Sequence, residues 1–210
     1  MTINEIIKSI KIGKTFHASA EDDSFTIKID RYVPYVCTAI HNGSNIRHEL
    51  ANKIALDEYE RWYEEDPHTE DFIESMPITL VGNDSRFEYE LNREDPIYEE
   101  AWGKKIWKKS LSKKDINVSK QKHANYYRVT HALIEKLESM FGACMVYDVH
   151  SYNHKRWDRP VPVFNIGAEC INHNKYGSFV ENWRQELEKI KLKGINVESK
   201  INDVFFGRGY

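Results

Sequence analysis

The sequence predicts an α/β fold, a mixed and mostly parallel sheet covered by helices on both faces. Three observations predict it. Strand-like runs alternate with helix-period segments, several of those runs are apolar on both faces, and residues 118–141 carry a sustained helical stripe. The 210 residues suit a single domain over 1–210, since domains usually hold about 100–200 residues. No repeat, low-complexity stretch or Pro/Gly/Ser-rich linker divides them.

The elements follow in order. SFTIKIDRY (24–32) alternates polar and apolar residues and reads as a half-buried strand. PYVCTAIH (34–41) is more uniformly apolar and reads as a second strand. HELANKIALDEYERWYEE (48–65) places Leu50, Ile54, Ala55, Tyr59 and Trp62 near helical spacing. A short helix over 69–75, capped by Thr69, leads into the strand PITLVG (77–82). In 118–141, Tyr126, Leu133, Ile134, Leu137, Met140 and Phe141 recur at the 3.6-residue period, and Gly142 stands where a C-terminal cap belongs. The strand ACMVYDVH (143–150), the strand VPVFNIG (161–167), a helix over 177–192 and the strand GINV (194–197) complete the prediction.

Composition narrows the function classes. A charged fraction of 30%, a hydrophobic fraction of 40% and a mean hydropathy of −0.66 describe a soluble globular protein. The net charge of −3 gives no bulk attraction to nucleic acid or membrane. The basic run KKIWKKSLSKK (104–114) and the acidic run EDPHTEDFIE (65–74) read as solvated surface. Cys37, Cys144 and Cys170 are odd in number, far apart and outside any CxxC pattern, which suits a reducing compartment. No apolar stretch approaches the ~20 residues of a membrane span, and MTINEIIKSIKIGK lacks the apolar core of a signal peptide. A cytoplasmic location is expected; the oligomeric state is not legible.

Chemistry concentrates at three strand ends. His41 follows PYVCTAI, NDSRFEYELNR (83–93) follows ITLV, and Asp148 and His150 close MVYDVH. In open α/β sheets ligands bind at the carboxyl edge, so these features can converge there. A lone histidine at a strand end is ordinarily a hydrogen-bonded structural residue; three polar features together favour a site. Catalytic zinc takes about three ligands from His and Asp or Glu. His41 and His150 supply two imidazoles, and the third ligand falls among Glu64, Glu65, Asp66, Glu70 and Asp71. Asp148 lies two residues before His150, on the same strand face, where it can orient a ligand imidazole or cap a nearby helix. Arg86 and Arg93 suit either recognition of a carboxylate or oxyanion, or salt bridges to Asp84, Glu88, Glu90 and Glu94.

HNG (41–43), DSRFEYELNR (84–93) and DVHSYN (148–153), in this order, resemble the N-formylglutamate amidohydrolase family, zinc-dependent amide hydrolases related in fold to the zinc carboxypeptidases and aspartoacylases. DSRFEYELNR is similar to the family's SR…DLNR pattern, with Glu90 at its acidic position, and DVHSYN to its D-x-H-S. The resemblance runs from about residue 35 to the end. It implies a three-layer α/β/α fold of the zinc-carboxypeptidase (phosphorylase/hydrolase-like) kind and one zinc ion. His41 and His150 match the histidine ligands. Ser44 stands where H-x-x-E would place an acidic ligand, and Asp66 aligns best instead, ahead of Glu65 and Glu70. Arg86 matches the arginine that polarises the scissile carbonyl. Asn92 and Arg93 match the pair that holds a substrate carboxylate, and Ser151 and Tyr152 begin a loop beside the substrate. The implied activity is zinc-dependent hydrolysis of an N-formyl- or N-acyl-amino acid, a small-molecule carboxylate substrate.

The family also uses a glutamate base on a late strand. NDVFFGRGY (202–210) resembles the segment before that strand, so the base is expected beyond Tyr210, in a C-terminal strand and helix that a shortened chain lacks. Glu169 and Glu198 match no motif. The competing expectations are a catalytically impaired relative that binds a carboxylate ligand or partner without turnover, and a purely structural hydrogen-bonding role for the histidines and arginines.

Overall fold

The computed structural model describes residues 1–208. In chain order the elements are α1 (Ile3–Lys11), β1 (Phe16–Ser19), β2 (Phe25–Ile29), β3 (Tyr35–Ala39), α2 (His48–Ala51), α3 (Glu58–Trp62), α4 (Thr69–Ile73), β4 (Ile78–Gly82), β5 (Glu100–Ala101) and β6 (Lys104–Lys105). They continue with α5 (Lys113–Phe141), β7 (Met145–Asp148), β8 (Phe164–Ile166), α6 (His173–Glu188) and β9 (Ser199–Ile201). These elements group into two compact units, Met1–Ser151 and a second from Tyr152 onward. No helix among the described residues is long and apolar enough to cross a membrane.

The first unit holds a five-stranded mixed sheet in the order β1-β2-β4-β3-β7. The α/β class is as predicted, but the sheet is not mostly parallel. β1–β2 and β2–β4 pair antiparallel, and only β4–β3 and β3–β7 pair parallel. Strand composition does not encode direction, and β1 lies outside the predicted elements. Its side chains alternate between half-buried and exposed over only four residues, too short a run to stand out. β4 is buried at every position, as a central strand requires, and the main core gathers Phe25, Ile27, Ile29, Ile78 and Leu80.

α5 supplies the other wall of that core through Tyr126, Val129, Leu133 and Leu137, and ends at Gly142 in the left-handed region, φ 80°. Met140 and Phe141, counted in the predicted stripe, are exposed. The helix begins five residues earlier than expected because Ser112 and Asp115 form a capping box. α1 also lies outside the predicted elements; Thr2 and Glu5 form a second capping box there, and Ile3, Ile6 and Ile10 join the same core.

Three further expectations are corrected. The helix over 48–65 is two short ones, because Ala55 N–H bonds to the Ile106 carbonyl (2.8 Å) and Asp57 starts a new helix with its own capping box. Thr69 is not the cap of α4. His68 is, in a left-handed conformation, and the Thr69 hydroxyl donates back to the Asp66 carbonyl (2.7 Å). Finally, GINV (194–197) is not a strand: Gly194 at φ 75° turns the chain, with Leu192 and Ile195 bridged across it, and the strand follows as β9. In the second unit β8 and β9 pair in parallel as a separate two-stranded sheet, and Ile166, Ala168 and Val180 form a small core there.

Candidate metal centre

β4, β3 and β7 run parallel, so their carboxyl ends share one edge of the sheet. His41 lies two residues beyond β3 and His150 two beyond β7. Asp66 arrives from the turn before α4, its N–H bonded to the His41 carbonyl (3.0 Å). A Cβ on Gly43 would fall 2.0 Å from the Asn83 carbonyl carbon, so only glycine lets the loop after β3 pass the end of β4.

Three donor atoms meet at this edge. His41 Nδ1 and His150 Nδ1 stand 3.2 Å apart, and Asp66 Oδ2 lies 3.2 Å from the first and 2.9 Å from the second. Each imidazole has its other nitrogen engaged. His41 Nε2 bonds to Glu90 Oε1, and His150 Nε2 to Asp148 Oδ2 (2.9 Å). With both Nε2 atoms turned to carboxylates, both Nδ1 atoms face Asp66, the orientation from which neutral imidazoles would offer their lone pairs to a metal ion. Asp148 is held in turn by the Thr38 hydroxyl (2.6 Å), its neighbour in the β3–β7 register. Asp66 Oδ1 accepts from the Ser151 hydroxyl (3.0 Å).

The electrostatics ask for a positive charge at the centre. Burial opposes ionisation of Asp66, yet its contacts with His150 and His41 hold the carboxyl well below the usual carboxylate range. Glu90 behaves alike: burial opposes its charge, and His41, then Arg86, outweigh that. Burial also works against a charged His150, but Asp148 and then Asp66 lift its imidazole to about 10. The donor set fits zinc. Three donors on a tetrahedron with bonds of about 2.0–2.1 Å are separated by about 3.3–3.4 Å, near the spacings seen here. Both imidazoles also carry the carboxylate partner that ligating histidines almost always have.

Other predicted site residues lie differently. Glu65 accepts from the buried Ser85 hydroxyl, and burial raises its pKa. Glu70 faces the Asn42 amide (3.3 Å), and Asp71 faces His68 (3.2 Å). The Glu64 carbonyl accepts from Arg86 (2.9 Å). Arg86 does not point a free guanidinium at the three donors. Its Nε and Nη2 grip Glu90 Oε2 (3.0 and 2.6 Å), and Trp102 lies over it, 4.7 Å from the ring centre. The segment 84–93 is therefore an irregular clamp rather than a strand. It sends Phe87 into one core cluster and Tyr89 and Leu91 into another. Glu88, fully buried, anchors it through Arg47 (2.5 Å).

Asn92 N–H bonds to Glu90 Oε1 (2.9 Å), while Arg93 is exposed, its guanidinium 5.6 Å above the Tyr98 ring. Tyr152 belongs to the second unit, where its hydroxyl donates to the Pro162 carbonyl and its ring meets Trp157 and Phe205 edge-on. There Glu169 pairs with Arg208 (2.6 Å) and Glu198 with Lys200 (3.2 Å). The residue that sequence reasoning missed is Glu90. Its place at the acidic position of the motif was visible, but spacing offered it only salt bridges to the nearby arginines and no link to His41.

The profile of a family described as N-formylglutamate amidohydrolase matches residues 33–207. No curated protein matches the chain. The solved structure of N-formylglutamate amidohydrolase from Ralstonia eutropha JMP134 is similar in fold. The TM-score is 0.73 at 18% identity, over 88% of this chain and 78% of that one.

Proposed function

Because this chain belongs to the N-formylglutamate amidohydrolase family, we propose that it is a zinc-dependent hydrolase that cleaves the amide bond of an N-formyl- or N-acyl-amino acid. The observation that carries the reading is the convergence of His41 Nδ1, His150 Nδ1 and Asp66 Oδ2, each imidazole backed by a carboxylate. These three residues would hold one zinc ion, which supplies a nucleophile at neutral pH and polarises a carbonyl. Glu90 and Asp148 keep the two rings turned so that Nδ1 faces inward. Arg93, exposed and carrying five N–H donors, suits the substrate carboxylate, with Asn92 beside it. Holding that carboxylate fixes where the amide lies, which converts binding into orientation. The same reading takes the fold to be the three-layer α/β/α arrangement of zinc carboxypeptidases and the cytoplasm to be its location.

One observation favours a second reading, a relative that binds a carboxylate ligand without turnover. Arg86, expected to polarise the carbonyl, has donors committed to Glu90 and to the Glu64 carbonyl. Formate release from N-formylglutamate by purified, zinc-loaded protein separates the two. Hydrolysis that stops on chelation and in His150→Ala is the expected result. Zinc uptake and a ligand-induced rise in melting temperature, with no product, would support binding alone.

A further inference from the structure

We infer that Ser151 is a positioning residue for Asp66, holding this carboxylate in one-oxygen presentation, rather than a contact for substrate. The inference rests on the zinc reading of the three donors. Consecutive residues grip the two oxygens of one carboxylate: His150 Nδ1 stands 2.9 Å from Oδ2, and Ser151 Oγ donates to Oδ1 at 3.0 Å. The peptide that carries one donor thus carries the hydroxyl that orients another. Because Oδ1 is engaged, Asp66 offers the centre Oδ2 alone, the atom that also faces His41 Nδ1 (3.2 Å).

That restriction has a chemical consequence. Two imidazoles and a single carboxylate oxygen suit a four-coordinate zinc, whereas manganese prefers six, largely oxygen, ligands and gains from a carboxylate that turns both oxygens inward. Freeing Oδ1 should weaken zinc more than manganese, so Ser151 sets metal preference as well as affinity. Asp66 is also tied through its backbone, by its N–H to the His41 carbonyl (3.0 Å), so losing the hydroxyl frees the carboxylate without releasing the loop.

The test is competition between the protein and a chromophoric chelator for zinc and for manganese, with wild type, S151A and the isosteric pair S151T and S151V. S151A and S151V should lose about 10–100-fold in zinc affinity, the usual effect of removing an orienting partner. Their zinc-to-manganese preference should narrow, S151T should stay near wild type, and KM for N-formylglutamate at saturating zinc should hold. Zinc affinity of S151V equal to that of S151T overturns the inference, and a raised KM with unchanged zinc affinity returns Ser151 to substrate contact. Wild type that takes up no zinc would instead overturn the underlying reading. Far-UV circular dichroism of the metal-free variants separates a lost site from a lost fold.

Discussion

Glu90 is almost wholly buried and accepts from His41, from two nitrogens of Arg86 and from the Asn92 N–H, so one carboxylate joins the inner histidine to the surface-facing arginine. Glu90→Gln keeps the shape but removes the charge that fixes the His41 ring. Zinc affinity, measured by chelator competition, should fall about 10–100-fold. Arg86→Ala leaves that buried charge without its guanidinium partner, and denaturant unfolding should show a loss of about 3–5 kcal/mol. At this scale the sequence was legible where geometry is local. Asp148 and His150 meet because residues two apart share a strand face. It was illegible where one acid among several had to be chosen across a fold. Glu64, Glu65, Asp66, Glu70 and Asp71 are equivalent as letters, and only the turn before α4 brings Asp66 to both imidazoles.

Helix α5 shows what capping adds to a hydrophobic stripe. Leu133, fully buried in the main core, should cost about 2–5 kcal/mol when cut to alanine, read as a fall in melting temperature. At its first turn, Asp115 accepts from Lys53 (2.7 Å) and the Ser112 hydroxyl (2.6 Å), which hold its carboxyl at about 2. An unfolded aspartate titrates near about 3.9, so the bonds contribute fully above about pH 4 and are lost as pH falls toward 2. The stability difference between wild type and Asp115→Asn should therefore shrink over that interval in urea titrations. The stripe announced α5, but the basic run over 104–114 hid its start, since its lysines read as surface while Ser112 and Asp115 within and beside it carry the cap. Capping likewise split the helix over 48–65 at Asp57, which hydrophobic spacing alone could not reveal.

For the molecule as a whole, the three donors and their partners Glu90, Asp148 and Ser151 all belong to the first unit. An ion that binds there and not to the unfolded chain stabilises the fold by mass action. Zinc at a hundredfold its dissociation constant should add about 2.7 kcal/mol, seen as a melting temperature that rises with zinc and returns on chelation. The α/β class was readable because it depends only on alternating periods. The even mix of strand directions was not, since direction is decided by which strands neighbour one another. The tight passage at Gly43 has its own consequence for sequence variation. Asn42 Oδ1 accepts from the Glu70 N–H (3.1 Å) in the first turn of α4, whereas exposed Ser44 is used through its backbone carbonyl. A library randomised at positions 42–44 and selected for folded protein should drift at 44, favour a side-chain acceptor at 42 and return glycine at 43, where even one methyl group meets the Asn83 backbone.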